Sequence, residues 1–253
     1  MPYINGKDIK MYFEDIGVGE PVIFLHSSFS RGIVSFSAQI MDLQSDFRCL
    51  YPDLRGNGRT VADSLEWDMP QIADDIILMM DELGIEKSHI VGFSLGGYIS
   101  FYCAIKYPNR IKSIVSIGAD ATYNDIDREA AKNYEPDNLV KNGYQRWIEL
   151  IKANHYDAHK GDWKLFVTRT LYNWEKYCHI PDEALQKITI PCMVIAGEKD
   201  AGTLEEELVR LKVLIKDITV ERIKECGHGP HVIFEQPLQT NKLIIQFLKD
   251  TCR

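Results

Sequence analysis

A serine held between two glycines is the first feature of the sequence that could do chemistry. Residues 91–100 read VGFSLGGYIS, so that Ser94 follows an apolar run and precedes an amphipathic one. Gly92 and Gly96 complete the pattern G-x-S-x-G. If a strand turns directly into a helix here, Ser94 lies at a strained corner where glycines remove the Cβ atoms that would collide. The hydroxyl of such a serine projects outward and can act as a nucleophile.

The same corner also offers a place for negative charge. The first N–H groups of a helix have no partner within the helix, and the helix dipole favours an anion at that end. The backbone N–H of Leu95 is therefore a candidate donor to an oxyanion that forms beside Ser94. Taken alone, the motif also fits a tight structural loop, because short motifs recur by chance.

A nucleophilic serine needs a base to take its proton and a carboxylate to orient that base. Asp200, in GEKD, follows a predicted strand at 192–196, and His228, in ECGHGP, follows a predicted strand at 218–222. The carboxyl ends of parallel strands share one edge of a sheet, which is where such sheets bind ligands. Ser94, Asp200 and His228 therefore supply all three chemical types at strand ends.

Alternating strands and helices predict the sheet that would position these residues. Apolar runs predict strands at 9–14, 22–25, 47–51, 88–93, 111–117, 192–196 and 218–222. Amphipathic stretches predict helices at 33–43, 69–83, 97–107, 204–213 and 238–249. Short apolar strands separated by helices indicate the α/β class, with a mostly parallel central sheet flanked by helices.

The alternation stops between residues 121 and 187, where only amphipathic stretches occur. This interruption predicts a helical cap at 121–187, inserted into a core formed by 1–120 and 188–253. The cap is rich in aromatic residues, whose default role is to form a small core of its own, with the alternative that some of them line an acyl pocket. They are Tyr144, Trp147, Tyr156, Trp163, Phe166, Tyr172 and Trp174.

Essentially the whole chain resembles the α/β-hydrolase fold superfamily. Five segments carry the resemblance in chain order: FLHSS, YPDLRGNGRT, GFSLGG, IPCMVIAGEKD and ECGHGPHVIFEQP. The resemblance implies an α/β-hydrolase fold with its cap after the sixth strand, and it makes Ser94 the nucleophile, Asp200 the acid and His228 the base. By position it also implies the N–H of Ser28 as a second oxyanion donor, although the family often has glycine where Ser27 stands.

The resemblance also bears on other acidic and basic residues. It makes DLRGNGRT a structural loop, in which Asp53 and Arg55 fix turns and have no catalytic role. Asp120 follows the predicted strand at 111–117, and some members of the superfamily resemble this arrangement by taking their acid from there. The AGEKD context favours Asp200 over Asp120.

The remaining histidines are interpreted as structural. His231 is predicted to be a packing or loop residue. His155 and His159 have the i, i+4 spacing that places two side chains on one helical face. Because no glutamate follows the first histidine and no third ligand is evident, an exposed surface pair is favoured over a metal site.

Composition excludes several classes of protein. The net charge of −8 leaves no basic stripe for nucleic acid. The first ten residues lack the features of a signal peptide, and no later stretch is apolar enough to span a bilayer, which predicts a cytoplasmic protein without a membrane partner. Six scattered cysteines without a C-x-x-C pair predict reduced thiols. We expect no metal and no cofactor, and the oligomeric state stays open.

These features predict a serine hydrolase that cleaves a small carboxylic ester, thioester or lactone through an acyl-enzyme on Ser94. The expected partner is this small acyl substrate, and we expect it to be uncharged or weakly polar because ligand pockets are mostly apolar with few polar anchors. Two alternatives remain. One is non-ester chemistry on the same triad, as in a perhydrolase or haloperoxidase, an aminopeptidase or a carbon–carbon bond hydrolase. The other is a triad-bearing ligand receptor with slow turnover.

Overall fold

A nine-stranded, mostly parallel sheet forms the centre of the protein. The computed structural model describes residues 2–64 and 66–252. Its strands are β1 (Tyr3–Asn5), β2 (Ile9–Ile16), β3 (Glu20–Leu25), β4 (Phe47–Pro52), β5 (Val61–Ala62), β6 (Ser88–Phe93), β7 (Ile111–Ile117), β8 (Cys192–Gly197) and β9 (Ile218–Ile223). They are ordered β1-β2-β4-β3-β6-β7-β8-β9, with β5 paired to β2. Strand β2 is antiparallel to its neighbours, and the other pairs are parallel, which confirms the predicted sheet.

Helices cover both faces of this sheet. They are α1 (Gly32–Ser35), α2 (Ile40–Leu43), α3 (Met69–Glu82), α4 (Leu95–Lys106), α5 (Asp125–Lys132), α6 (Pro136–Lys141), α7 (Gln145–Asn154), α8 (Tyr156–His159), α9 (Trp163–Tyr177), α10 (Asp182–Leu185), α11 (Glu205–Leu214) and α12 (Pro237–Thr251). Helices α5–α10 lie between β7 and β8, and β7 is the sixth strand if the two-residue β5 is left out of the count. The division of the chain into a core and a cap remains a prediction.

The two faces of the sheet are buried by separate apolar clusters. In β3, Ile23 and Leu25 pack in one cluster, whereas Val22 and Phe24 pack in the other. Successive side chains of a strand point to opposite faces, so a strand buried on both faces must be apolar throughout. This is why the strands appear in the sequence as continuous apolar runs.

One predicted helix is broken in the structure. The stretch predicted as helix at 33–43 forms the two short helices α1 and α2, with the intervening turn near Phe36. Gln39 is buried in this turn, and its Nε2 donates to the carbonyl of His231 and to Oδ1 of Asn241, each at 2.8 Å. The amphipathic pattern could not show that Gln39 is a buried polar anchor. Strands β1 and β5 were also missed, because they are too short to give an apolar run.

The DLRGNGRT loop has the contacts of a structural element. The Asp53 carboxylate accepts hydrogen bonds from the N–H of Gly32 at 3.0 Å and from the N–H of Arg59 at 2.9 Å. Gly58 has a φ of +59°, and a Cβ at this position would overlap the Asp53 carboxylate. Arg55 pairs with Asp75 at 2.8 Å in the interior. These bonds fix the turns, as the sequence predicted.

The prediction that His155 and His159 form an exposed pair is wrong. Their exposed fractions are 0% and 2%. His155 lies between α7 and α8, where its Nδ1 accepts the N–H of Gly58 at 2.9 Å and its ring stacks on Phe166 with centroids 4.7 Å apart. His159 accepts the N–H of Gly161 at 2.9 Å. The His159 N–H donates to the His155 carbonyl at 3.0 Å, and both rings pack on Phe166, so the pair faces α9 rather than solvent.

The burial of His155 predicts a loss of stability in mild acid. Burial lowers the pKa of His155 to about 3, whereas an unfolded histidine titrates near about 6.5. The unfolded state therefore binds more protons between these values, and stability falls as the pH falls through this window. Lowering the pH from about 7 to 5 should remove roughly 2 kcal/mol of unfolding free energy through this residue. Urea unfolding at both pH values measures this difference in unfolding free energy.

The matched comparison is between His155→Phe and His179→Phe, because His179 is exposed. We expect the pH dependence to weaken in the first variant and to stay unchanged in the second. Part of the dependence should persist in both, since burial also lowers the pKa of His89 and of His231 to about 4 each. Equal pH dependence in the two variants would contradict the prediction.

Two further features concern the described residues 2–64 and 66–252. None of their helices combines the length and apolar character needed to cross a membrane. Their six cysteines are all free, and Cys252 is the exposed one.

Candidate active site

The glycine-flanked serine occupies a sharp corner between β6 and α4. Ser94 has φ +52° and ψ −114°, a conformation that non-glycine residues seldom adopt. Its N–H donates to the carbonyl of Ile117 at 2.8 Å, which holds the corner against β7. A Cβ on Gly92 would overlap the carbonyl oxygen of Gly96, and a Cβ on Gly96 would overlap that of Leu25. The two glycines are therefore required by close backbone approach.

Helix α4 begins immediately after this serine. Leu95 is its first residue, so the Leu95 N–H lies at the start of a twelve-residue helix beside Ser94. The Ser94 side chain does not cap the helix. Its hydroxyl is therefore not committed to a structural bond at this position, and the helix dipole favours negative charge there.

Asp200 and His228 meet across the ends of β8 and β9. Nδ1 of His228 lies 2.9 Å from Oδ2 of Asp200. The same carboxylate accepts the Thr203 hydroxyl at 3.0 Å and the Gly202 N–H at 3.1 Å. Burial alone would raise the pKa of the Asp200 carboxyl, but the hydrogen bond and charge of His228 and these two donors hold its pKa below the usual value. Asp200 is thus ionised at neutral pH, and its carboxylate can accept a hydrogen bond from a protonated Nδ1 of His228.

This contact orients the imidazole. If Nδ1 donates to Asp200, Nε2 of His228 carries the lone pair of the neutral ring and is free to accept a proton. The ring packs beside Gly118, where a Cβ would come within 3.1 Å of it, and beside Phe93 at a centroid distance of 5.3 Å. The imidazole is half exposed, whereas 6% of the Asp200 side chain is exposed.

A cavity of about 300 Å³ joins these residues, since Ser94, Leu95, Asp200 and His228 all line it. The structure therefore brings together four of the five predicted site residues. Among the described residues, the Ser94 hydroxyl and His228 line the same cavity but do not form a hydrogen bond with each other. Catalytic hydrogen bonds are often long in the absence of substrate and tighten in the complex.

The fifth predicted residue, Ser28, lies in a turn at the end of β3. His26 fixes the start of this turn: its Nε2 accepts the Leu54 N–H at 2.9 Å, so its Nδ1 carries the hydrogen that reaches the Ser27 carbonyl at 2.8 Å. Burial lowers the pKa of His26, which keeps the ring neutral for this pair of bonds. The left-handed conformation of the turn falls on Phe29, with φ +60°, and Ser27 is not in that region. This explains why the turn needs no glycine at Ser27.

The side chain of Ser28 points to helix α9. Its Oγ accepts the indole N–H of Trp174 in α9 at 2.8 Å, and Trp174 also lines the cavity. The sequence does not indicate this contact, because it leaves open which aromatic residues of this region form a small core and which line an acyl pocket.

Asp120 lies at the same cavity but makes different contacts. Its Oδ1 accepts the Thr122 N–H at 3.1 Å, and its Oδ2 is buried without a hydrogen-bond partner among the described residues. Burial raises the pKa of Asp120 to about 7. A carboxylate that stabilises an imidazolium needs the opposite shift, which is the one found at Asp200.

The remaining walls of the cavity are largely apolar and carry no basic side chain other than His228 among the described residues. Tyr98, Tyr123 and Asp127 contribute to these walls. They lie within α4 or near the start of the cap, where no motif in the sequence marks them. Among the other aromatic residues between β7 and β8, Phe166 is buried in a small apolar cluster, and Trp147 and Trp163 pack against that cluster. The exposed ones are Tyr144, Tyr156 and Tyr172.

Comparisons with known proteins agree with this fold. The family model described as alpha/beta hydrolase fold matches residues 20–163. The chain is 23% identical to the Uncharacterized carboxylesterase nap of Bacillus subtilis (strain 168), over 90% of this chain and 78% of that protein. It is 25% identical to the meta-cleavage product hydrolase CumD of Pseudomonas fluorescens IP01, with a TM-score of 0.78 over 97% of this chain and 98% of the other. The structure of a thermophilic esterase from Thermogutta terrifontis is similar in fold, with a TM-score of 0.76 and 23% identity over 97% of this chain and 95% of that one.

Proposed function

The chain belongs to the α/β-hydrolase fold family, and we propose that it is a serine hydrolase that cleaves a small carboxylic ester, thioester or lactone. The observation that carries the proposal is the 2.9 Å contact between His228 and Asp200, beside a cavity that Ser94 also lines. The likeness to carboxylesterase nap supports ester chemistry within the family.

Acylation begins when Nε2 of His228 takes the proton of the Ser94 hydroxyl. The Ser94 oxygen then bonds to the carbonyl carbon of the substrate, and the electron pair of the carbonyl moves to its oxygen. The N–H groups of Leu95 and Ser28 stabilise this oxyanion, and Asp200 stabilises the imidazolium. When the carbonyl re-forms, the bond to the leaving alcohol or thiol breaks, and His228 returns the proton to that group.

Deacylation repeats these steps with water. His228 takes a proton from a water molecule, the resulting hydroxide attacks the acyl-enzyme, and the ester bond to Ser94 breaks. The proton passes to the Ser94 oxygen, and the free acid leaves. Each residue thus returns to its starting state, and the reaction consumes one water for each bond cleaved.

The charges around the cavity support an acyl group without a carboxylate. Three carboxyl groups line the cavity, those of Asp120, Asp127 and Asp200, and no lysine or arginine of the described residues lines it. The resting imidazole of His228 is neutral in this mechanism, so it orients Asp200 without cancelling the charge of the carboxylate. An anionic acyl group would therefore be repelled, whereas the apolar walls favour an uncharged one.

An ester panel with purified protein tests the proposal. We expect 4-nitrophenyl butyrate to be hydrolysed over many turnovers, because its activated leaving group requires only the triad and the oxyanion donors. The mono-4-nitrophenyl ester of succinate, whose acyl group ends in a carboxylate, should have a kcat/KM about tenfold lower, as expected for like charges a few ångströms apart. Release of 4-nitrophenol measures both. A single burst of one equivalent without further product would instead indicate a receptor with slow turnover.

Two aspartates of helix α5 provide the matched variants for the charge effect. Asp127 lines the cavity, whereas the Asp125 side chain is 99% exposed. Asp127→Asn should narrow the difference between the two esters, and Asp125→Asn should leave it unchanged. Asparagine keeps an acceptor for the Asn124 N–H, which now reaches Asp127 at 3.0 Å. If both variants behave alike, the charge argument fails while the hydrolase assignment stands.

A further inference from the structure

We infer that Trp174 is a positioning residue for the oxyanion hole, so that helix α9 holds in place the Ser28 donor that the β3 turn contributes beside the Leu95 N–H. The inference rests on the proposed function, because it assigns the Ser28 N–H to the oxyanion. Its structural basis is separate and consists of the contacts that α9 makes with the turn containing Ser28.

The turn that presents Ser28 has a strained conformation. The Ser30 N–H reaches the Ser27 carbonyl at 3.3 Å, which defines a four-residue turn, and its third residue, Phe29, has φ +60°. Turns of this kind strongly prefer glycine at the third position. An aromatic residue remains there only if its surroundings hold it in place.

The surroundings that hold Phe29 belong to the cap helices. Its ring lies among four aromatic rings at centroid distances of 5.1 to 5.9 Å. These rings are those of Tyr134, Trp147, Phe166 and Trp174. The side chain that follows Ser28 is therefore inserted into the apolar cluster of the cap rather than into the core beneath the sheet.

Trp174 has a second contact that the other three rings lack. Its indole N–H donates to Oγ of Ser28 at 2.8 Å. This bond fixes the Ser28 side chain while the packing of Phe29 fixes the next residue. Together they restrict rotation of the backbone at Ser28 and so fix the direction of its peptide N–H. Movement of α9 away from the sheet would release both residues and weaken the oxyanion hole.

Trp174→Phe tests the role of the hydrogen bond while keeping an aromatic ring. We expect the kcat for 4-nitrophenyl butyrate to fall about tenfold with little change in KM, which is less than the loss of a whole oxyanion donor. The matched control is Trp147→Phe, because Trp147 also packs on Phe29, at 5.1 Å, without bonding Ser28. We expect this control to retain activity within about twofold of the parent protein.

The thiono analogue of the same ester separates positioning from a general structural role. Its sulfur is larger and a poorer hydrogen-bond acceptor than oxygen, so it gains little from an oxyanion hole. Trp174→Phe should therefore slow the oxygen ester about tenfold and the thionoester less than about twofold. Ser28→Ala should reproduce this pattern, and combining the two changes should add no further loss, because both remove the same bond.

Several results would overturn the inference. It fails if Trp174→Phe slows both esters equally, if it slows neither, or if Ser28→Ala leaves the ratio of the two rates unchanged. Failure of the proposed function gives a different result, since the parent protein would then cleave neither ester.

Discussion

Replacing Ser94 with alanine should abolish ester hydrolysis, with a loss of turnover of about a millionfold. The size of the loss follows from the proposed covalent step, since no other group in the mechanism can carry the acyl chain. The fold should be unaffected, because the Ser94 side chain does not cap helix α4. Hydrolysis of 4-nitrophenyl butyrate and the thermal unfolding midpoint are the two measurements.

Ser100→Ala is the matched control for this variant. Ser100 lies in the same helix, and within residues 2–64 and 66–252 its hydroxyl bonds only to the Gly97 carbonyl, at 2.6 Å. It should retain activity and should still be labelled at Ser94 by a fluorophosphonate, whereas Ser94→Ala should not be labelled. Residual turnover of Ser94→Ala above about a thousandth of the parent rate would contradict the nucleophile assignment.

The features that the sequence predicted correctly depend on short stretches of chain. Strands β6 and β7 were expected at 88–93 and 111–117, and the structure has them at those positions. Strands buried on both faces must be apolar throughout, so they can be recognised from their own residues without knowing which strands lie beside them. The corner at Ser94 is local in part: Gly92 is required by the nearby carbonyl of Gly96, whereas Gly96 is required by the carbonyl of Leu25 in the adjacent strand β3.

The features that the sequence could not predict depend on contacts between distant segments. Ser28 and Trp174 are 146 residues apart in the chain, and nothing near either residue indicates that they bond. His155 seemed to belong to an exposed pair because its partner, the Gly58 N–H, lies 97 positions earlier. Every residue except proline has a backbone N–H, so the sequence cannot show which of these groups will donate to a given side chain. Such a hydrogen bond becomes apparent only in the folded structure.

The choice between Asp120 and Asp200 shows what a sequence motif can indicate about a catalytic acid and what it cannot. Both aspartates follow a strand, and both line the cavity. Sequence context favoured Asp200, but context says nothing of burial or of hydrogen-bond partners. The structure adds the contact of Asp200 with His228 and opposite displacements of the two pKa values, downward at Asp200 and upward to about 7 at Asp120.

These environments lead to opposite expectations for two isosteric changes. Asp200→Asn should lower turnover about ten-thousandfold, because an amide can donate to Nδ1 of His228 and so favour the wrong tautomer of the ring. Asp120→Asn should cost less than about tenfold, since asparagine can still accept the Thr122 N–H, and Asp120 has no contact with His228 among the described hydrogen bonds. Steady-state hydrolysis of 4-nitrophenyl butyrate compares the two variants, with thermal unfolding as the check on their folding. The reverse ranking would transfer the role of the acid to the end of β7. Comparable losses in both variants would mean that the carboxylates act as one coupled unit around His228.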